Sequence, residues 1–472
     1  MAKKKLEQRH IYNLKRDQVD ERDYKLSKLE VEEIPDKEDL REECPPIFEQ
    51  GELGSCHDSI TEVLTLEGWK LFNDITYEDK LASVSPTTHE VIFESPTNII
   101  KYHYKGDLIY CSNRVLDFAV TPNHKMLVRR WNEKRRALNS EYEFVEAKDL
   151  GWYSGLLNSV IYNGINSPEF YYLPPVENIV KVNRRKGKYV DMVYWVRFIG
   201  IYLAEGTMIK ENKFDHSKIQ IACVKEREKS FIKDVLTKLD IKFLELKDRI
   251  TFCNKQIFTE LKKLGLYRVK APYKFVPQFI FELSGEYIRE FLLGHFMGDG
   301  CLSSGRKYHY TTSKILADQI QTLALLVGEW SSIYTRPPRQ PTMKDGRVIN
   351  GVYEEITVSR RDSKHLSIDK NKHVEVLPYD GFVYCVEVPT YHTLITRRNK
   401  RMLISGNCTA QAGVAAYMML RDTEEMYSRL YLYYKERLLE GNTEIDSGAT
   451  MRSIGRALQK FGVPKERTWP YI

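Results

Sequence analysis

An asparagine stands directly before a cysteine in Ile404-Ser405-Gly406-Asn407-Cys408-Thr409. The side-chain amide of Asn407 can attack its own backbone carbonyl, closing a succinimide and cutting the chain after itself. The Cys408 thiol can take over an acyl group first. Far upstream, Gly54-Ser55-Cys56 again leads through small residues into a cysteine. A second pair of reactive groups is acidic. Glu205 and Asp299 each close an apolar run and are each followed by glycine, as Ala204-Glu205-Gly206 and Gly298-Asp299-Gly300.

The elements that must position these groups differ along the chain. At 472 residues the protein exceeds one core and predicts roughly two to four domains. Hydrophobic residues at 42% and charged residues at 29% are an ordinary globular balance, and a net charge of +7 permits nucleic-acid contact without demanding it. The eight cysteines include no Cys-x-x-Cys pair, which argues against a zinc ribbon or a disulfide framework and for a reducing compartment. No stretch approaches the ~18 apolar residues of a membrane helix, so a cytoplasmic, monomeric protein without membrane contact is expected. Residues 1–43 are charged and sparse in apolar side chains, which predicts a mobile or surface-draped segment.

From Cys56 onward, short β-branched runs broken by Gly, Asp, Asn and Pro predict an all-β module. Examples are Thr61–Thr65, Lys80–Val84, Glu90–Phe93, Leu108–Cys111 and Phe118–Val120. Strand texture returns from Tyr379, in Phe382–Val388, His392–Thr396 and Arg401–Ile404. Between these regions, Trp195–Gly206 and Glu290–Gly300 each read as an apolar helix stopped by glycine. In each, small residues four apart share one face, Gly200 with Ala204 and Gly294 with Gly298, so two helix backbones can approach closely. A polar strand-like region and an amphipathic helix follow each one, which makes the stretch an internal duplication.

These motifs carry three resemblances. Cys56 followed by Thr61-Glu62-Val63-Leu64-Thr65 is similar to the opening block of inteins, and Thr121-Pro122-Asn123-His124 resembles their Thr-x-x-His block. FIGIYLAEG (198–206) and LLGHFMGDG (292–300) resemble the LAGLIDADG motif of DOD-type homing endonucleases. Joining Gln50–Ser55 to Cys408–Ala412 gives QGELGSCTAQA, which resembles the nucleophile segment of papain-like (C1) cysteine peptidases.

The resemblances imply a multidomain α+β chain. An all-β Hint splicing domain (56–165 and 372–407) would be interrupted by a duplicated α/β LAGLIDADG endonuclease (166–371) and flanked by mostly helical peptidase host segments (1–55 and 408–472). Cys56 would attack the Ser55 carbonyl to make a thioester, which is uphill for a relaxed peptide. Thr121 and His124 would polarise that carbonyl and protonate the leaving nitrogen, and none of the splicing steps would need a cofactor.

Two departures from the intein pattern bear on the last steps. Gly406 stands where many inteins carry histidine, which leaves His392 as the candidate to assist Asn407, and Cys385 stands where aspartate is common. In the nuclease, packing the two helices side by side would bring Glu205 and Asp299 together. Hard oxygen ligands favour Mg²⁺, which would act on double-stranded DNA, the intein-less host gene. Lys274, in Lys274-Phe275-Val276-Pro277, would face the scissile phosphate, and basic stretches such as Arg336–Arg339 and Arg360-Arg361 would contact the backbone. In the host, Gln50 would be the oxyanion-hole glutamine and Cys408 the nucleophile, with the partner His and Asn ~130–150 residues further on. The rival readings are a peptidase carrying a non-splicing regulatory insertion, and a splicing intein whose endonuclease is inactive.

Overall fold

The β-branched runs pair across long separations in sequence. The computed structural model describes residues 56–176, 186–209, 217–340, 352–361 and 366–406, with single positions between 431 and 462. An 11-stranded antiparallel sheet has a main path through Leu366–Asp369, Tyr153–Leu156, Lys125–Asn132, Arg401–Gly406, Thr393–Arg398, Glu62–Thr65, Leu81–Val84 and Val91–Glu94. Its strands Arg401–Gly406, Thr393–Arg398, Glu62–Thr65 and Leu81–Val84 are buried almost throughout, as near-continuous apolar runs such as Met402–Ile404 require. Two long strands, Asn98–Ser112 and Val374–Glu387, pair along their length, and Asp117–Val120 adds to the first. Leu366–Asp369 lies ahead of residue 372, where the resemblance implied that the β-module resumes, and it pairs with Tyr153–Leu156 in the large sheet.

The insertion contains six helices relevant to the sites: α1 (Met192–Glu205), α2 (Glu226–Lys238), α3 (Lys255–Lys263), α4 (Phe279–Glu282), α5 (Gly285–Asp299) and α6 (Lys314–Leu326). Asp191 caps α1 by accepting from the Val193 amide at 2.8 Å, and Ser313 caps α6 by accepting from Leu316 at 3.1 Å. The duplication is visible in the topology. α1 leads into a four-stranded sheet ordered Gly206–Met208, Lys218–Ala222, Arg249–Cys253, Leu244–Glu245, with α2 as its connecting helix. α5 leads into Gly300–Ser303, Arg306–Thr311, Glu355–Arg361, Trp330–Arg336 in the same order, with α6 in the place of α2. One hydrophobic core runs from Leu64 through Trp195, Ile199 and Phe291 to Ile404, so the β-module and the insertion share an interior.

α1 and α5 pack backbone to backbone, as the small residues predict. A Cβ at Gly200 would collide with the Phe291 carbonyl, and one at Gly294 with the Arg197 carbonyl. A Cβ at Gly298 would lie 2.6 Å from that of Ala204. The closing glycines stop their helices without a left-handed turn. Gly206 has φ −80° and Gly300 φ −115°, open to any residue, but a Cβ at either would strike the preceding turn at Tyr202 or Phe296. Crowding selects these glycines, rather than backbone angle.

Candidate functional site

The first site forms where Cys56 enters the sheet. Its amide N–H, the nitrogen of the Ser55–Cys56 peptide bond, donates to Thr121 Oγ1 at 3.1 Å. In return the Thr121 amide donates to the Cys56 carbonyl at 3.0 Å. The Cys56 thiol is buried and donates to the Tyr102 hydroxyl at 3.6 Å. Burial, then the neighbouring Cys56, pushes the Tyr102 phenol far up, so it stays protonated. The next residue, His57, pairs through its backbone with Tyr384. Its ring stacks on Phe72 and meets the His124 ring edge-on at 4.5 Å. Burial first, then His124, drives the His57 pKa well below the ordinary value and keeps the ring neutral.

His124 links this end of the segment to the other. The turn Thr121–His124 is closed by the His124 amide on the Thr121 carbonyl at 2.9 Å. The His124 ring then meets Ser405 Oγ at 2.9 Å through Nε2, across 281 residues of sequence. Ser405 lies in the strand Arg401–Gly406, whose partner Thr393–Arg398 ends with Thr393 opposite Gly406. Thr393 is itself fixed, its hydroxyl donating to the Val84 carbonyl and accepting from the Val84 amide, both at 2.7 Å. Just before it, His392 takes a left-handed φ of +52°, and its buried Nδ1 has no hydrogen-bond partner. Burial lowers the His392 pKa. Cys385 is buried in one cluster with Cys56 and Val383. Gln50, Asn407 and Cys408 lie outside the described residues.

The second site lies where α1 and α5 end together. Burial, then the charge of Glu205, pushes the Asp299 carboxyl up to about 7, with Lys274 opposing. Glu205 is raised as well, by burial, again with Lys274 opposing. Lys274 donates through Nζ to the Leu203 and Ala204 carbonyls at 2.7 and 3.1 Å, so its ammonium caps the C-terminus of α1. Desolvation lowers the Lys274 pKa, while Asp299 and Glu205 hold it up. Two desolvated carboxylates at the C-terminal, negative ends of two helices form a hard-oxygen donor set that suits a small divalent cation. Among the described residues no group of three or more His, Cys, Asp or Glu could hold a metal ion. This pair would therefore need further oxygens from substrate or water.

Sequence reasoning named Cys56, Thr121, His124, Glu205, Asp299 and Lys274, and the fold gathers them into these two sites. It missed Tyr102, His57 and Ser405. Of these, His57, directly after Cys56, and Ser405, two residues from Asn407, carried a positional signal.

A β-rich module interrupted by a duplicated, helix-paired α/β unit is the class that fold and sites define. Residues 286–366 match the family described as a LAGLIDADG-like domain. The chain is 29% identical over 411 residues to the DNA-directed RNA polymerase subunit beta C-terminal section of Stigeoclonium helveticum, covering 73% of this chain and 36% of that protein. It is 28% identical over 310 residues to the ATP-dependent Clp protease proteolytic subunit of Chlamydomonas moewusii, covering 62% of this chain and 30% of that one. An uncharacterized peptidase C1-like protein of Acanthamoeba polyphaga mimivirus is 30% identical over 121 residues, covering 25% of this chain and 38% of the relative. The chain thus spans about a third of the length of each of these relatives.

Similar solved structures include the endonuclease I-DmoI in complex with DNA and Mn (TM-score 0.25, 9% identity, 36% of this chain and 89% of that one). A splice-inactive AceL NrdHF split intein is another (TM-score 0.18, 20% identity, 29% of this chain and 76% of that one). Among the described residues, no helix is long and apolar enough to cross a membrane.

Proposed function

We propose that residues 56–407 are an intein that excises itself, joins Ser55 to Cys408, and carries a LAGLIDADG homing endonuclease. The observation that carries this reading is the brace across the segment's two ends. Thr121 holds the amide of Cys56, and His124, three residues on, holds Ser405, two residues before Asn407. The relatives support it from another side. A polymerase subunit and a protease subunit have unrelated functions, yet both match most of this chain, as befits an insertion found in different hosts.

Cys56 Sγ attacks the Ser55 carbonyl. The C–N bond breaks, the Cys56 nitrogen takes a proton and a thioester forms. Thr121, which accepts from the N–H of that nitrogen, and His124, three residues on, would lower this barrier. The Cys408 thiol then takes the acyl group and returns a thiol to Cys56. The Asn407 side-chain amide next closes on its own carbonyl and releases the Cys408 amine, which attacks the thioester to leave an ordinary amide. Thr393 pairs with Gly406, the last described residue before Asn407, and His392 directly precedes Thr393, which supports His392 as the group assisting that cyclisation.

In the nuclease half, Glu205 and Asp299 would hold Mg²⁺, which when bound neutralises phosphate charge and makes water more acidic. Lys274 keeps the end of α1, and with it Glu205, in place beside Asp299. Double-stranded DNA is the substrate, and the uninterrupted host gene the expected target. The flanks 1–55 and 408–472 are read as pieces of a C1-type peptidase with Gln50 and Cys408 in its active site. The viral peptidase-like relative supports this with a match about as long as the two flanks together.

Mass spectrometry of the expressed chain tests the splicing reading. Excised and ligated products are expected from the wild type and neither from Cys56→Ala, and an intact wild-type chain would overturn it. Incubating a plasmid that carries the joined host sequence with Mg²⁺ tests the nuclease. Linearisation is expected, and its loss in Asp299→Asn would assign it to this site.

A further inference from the structure

The hairpin that carries Ser405 is locked by a fully buried guanidinium whose partners come from both halves of the molecule. Arg397 donates through Nε and Nη2 to the two carboxylate oxygens of Glu62, at 2.8 and 2.7 Å. It donates to Asp318 at 2.9 and 3.3 Å and to Gln321 Oε1 at 3.0 Å, and its plane covers the Trp69 ring at 4.4 Å. At the turn of the same hairpin, Lys400 Nζ donates to Asp318 at 3.0 Å, and Gln321 Nε2 donates to the Lys400 carbonyl at 2.9 Å. Glu62 and Trp69 belong to the large sheet, whereas Asp318 and Gln321 lie on α6 of the inserted unit.

A guanidinium without water needs its N–H groups and its charge matched by protein. Glu62 matches half of this one, and α6 matches the other half. Arg398, the next residue, turns the opposite way and donates to Asp58 at 2.9 Å and Asp117 at 2.6 Å. The Cys56 end is also held by contacts that do not involve the hairpin, the pairing of His57 with Tyr384 and the mutual hydrogen bonds of Cys56 and Thr121.

We propose that Asp318 and Gln321, on a helix of the nuclease half, are positioning residues for splicing. Through Arg397 and Lys400 they hold the hairpin Thr393–Gly406, and with it Ser405 against His124. This rests on the splicing reading above. The insertion is then a structural part of the splicing apparatus, and its α6 cannot be removed without stranding a buried cation.

The test uses the full chain, comparing the wild type with Asp318→Asn/Gln321→Leu. Ligated product is followed by mass, and the first step is read separately as thiol-induced cleavage at Cys56. Ligation is expected to slow by about tenfold or more, the scale of a displaced reacting group, while cleavage at Cys56 stays near wild type. A general folding defect would lower both together, and that result overturns the proposal, as does ligation at the wild-type rate in the double variant. In a chain blocked by Cys56→Ala and Asn407→Ala, the same double variant should lose hydrogen-exchange protection at 393–406 and keep it at 125–132. Unchanged protection of the hairpin overturns the proposal too. A wild-type chain that forms no ligated product overturns the splicing reading itself, which separates the two failures.

Discussion

At the scale of single residues, the two sites answer to burial in opposite ways. Asp299, held at about 7 by burial and by Glu205, binds its proton more tightly in the folded chain than at its ordinary 3.8. Between about pH 4 and about 7 the folded state therefore carries the extra proton. The stability this gives is complete below that window and is lost as pH rises through it. Without divalent cation, the melting temperature should fall across the window. Asp299→Asn should flatten the fall, and Mg²⁺ should offset it above pH 7 by binding the ionised pair. Melts at stepped pH with and without Mg²⁺ check this, and a profile identical in Asp299→Asn would refute it. At Cys56 the stakes are a single hydrogen bond. Thr121→Ala leaves a buried N–H without its acceptor, a loss of about 1–3 kcal/mol. Thiol-induced cleavage at Cys56 should slow accordingly, by roughly tenfold to a hundredfold, with Thr121→Ser recovering most of it.

At the scale of elements, what could be read in the sequence was local and periodic. Gly200 with Ala204 and Gly294 with Gly298 announced a close helix pair because spacing by four is visible in the chain itself, and the collisions a Cβ would meet bear that out. The strand runs around Val63, Ala82 and Ile92 were equally plain. Ser405 and Arg397 were not, because their partners are set by strand register across the insertion, hundreds of residues away, and Tyr102 was not, because only the fold brings it to Cys56, 46 residues upstream. Register is not written in any local pattern, and neither were the uses of Gly206 and Gly300, whose φ angles are ordinary. The helix pair gives a further prediction. Gly294→Ala places a methyl against the Arg197 carbonyl and should destabilise the fold by about 1–3 kcal/mol through overpacking. The two carboxylates would part with the helices, so Mg²⁺-dependent cleavage should fall further than stability explains. A denaturant melt beside a cleavage assay at a temperature where the variant is folded separates the two effects.

At the scale of the whole molecule, the shared interior decides how the two halves respond to one another. Leu64 and Ile404 of the large sheet belong to the same buried cluster as Trp195, Ile199 and Phe291 of the helix pair. The seam between them is also polar at depth. Trp330 Nε1 donates to the Val115 carbonyl at 3.4 Å, Tyr162 Oη to the Phe281 carbonyl at 2.8 Å, and Arg397 reaches Asp318. An interface of that kind leaves neither half a separate melting unit, because exposing one strips buried apolar surface and hydrogen-bond partners from the other. A chain blocked at Cys56 and Asn407 should therefore unfold in one calorimetric transition. A ligand that binds only the folded nuclease half, Mg²⁺ at Glu205 and Asp299, should raise that whole transition by mass action. A probe in the large sheet, such as the fluorescence of Trp131 in Lys125–Asn132 and Trp152 just before Tyr153–Leu156, should shift by the same number of degrees as the calorimetric midpoint. Two transitions, with only one moved by Mg²⁺, would mean that the core is continuous in packing but not in cooperativity.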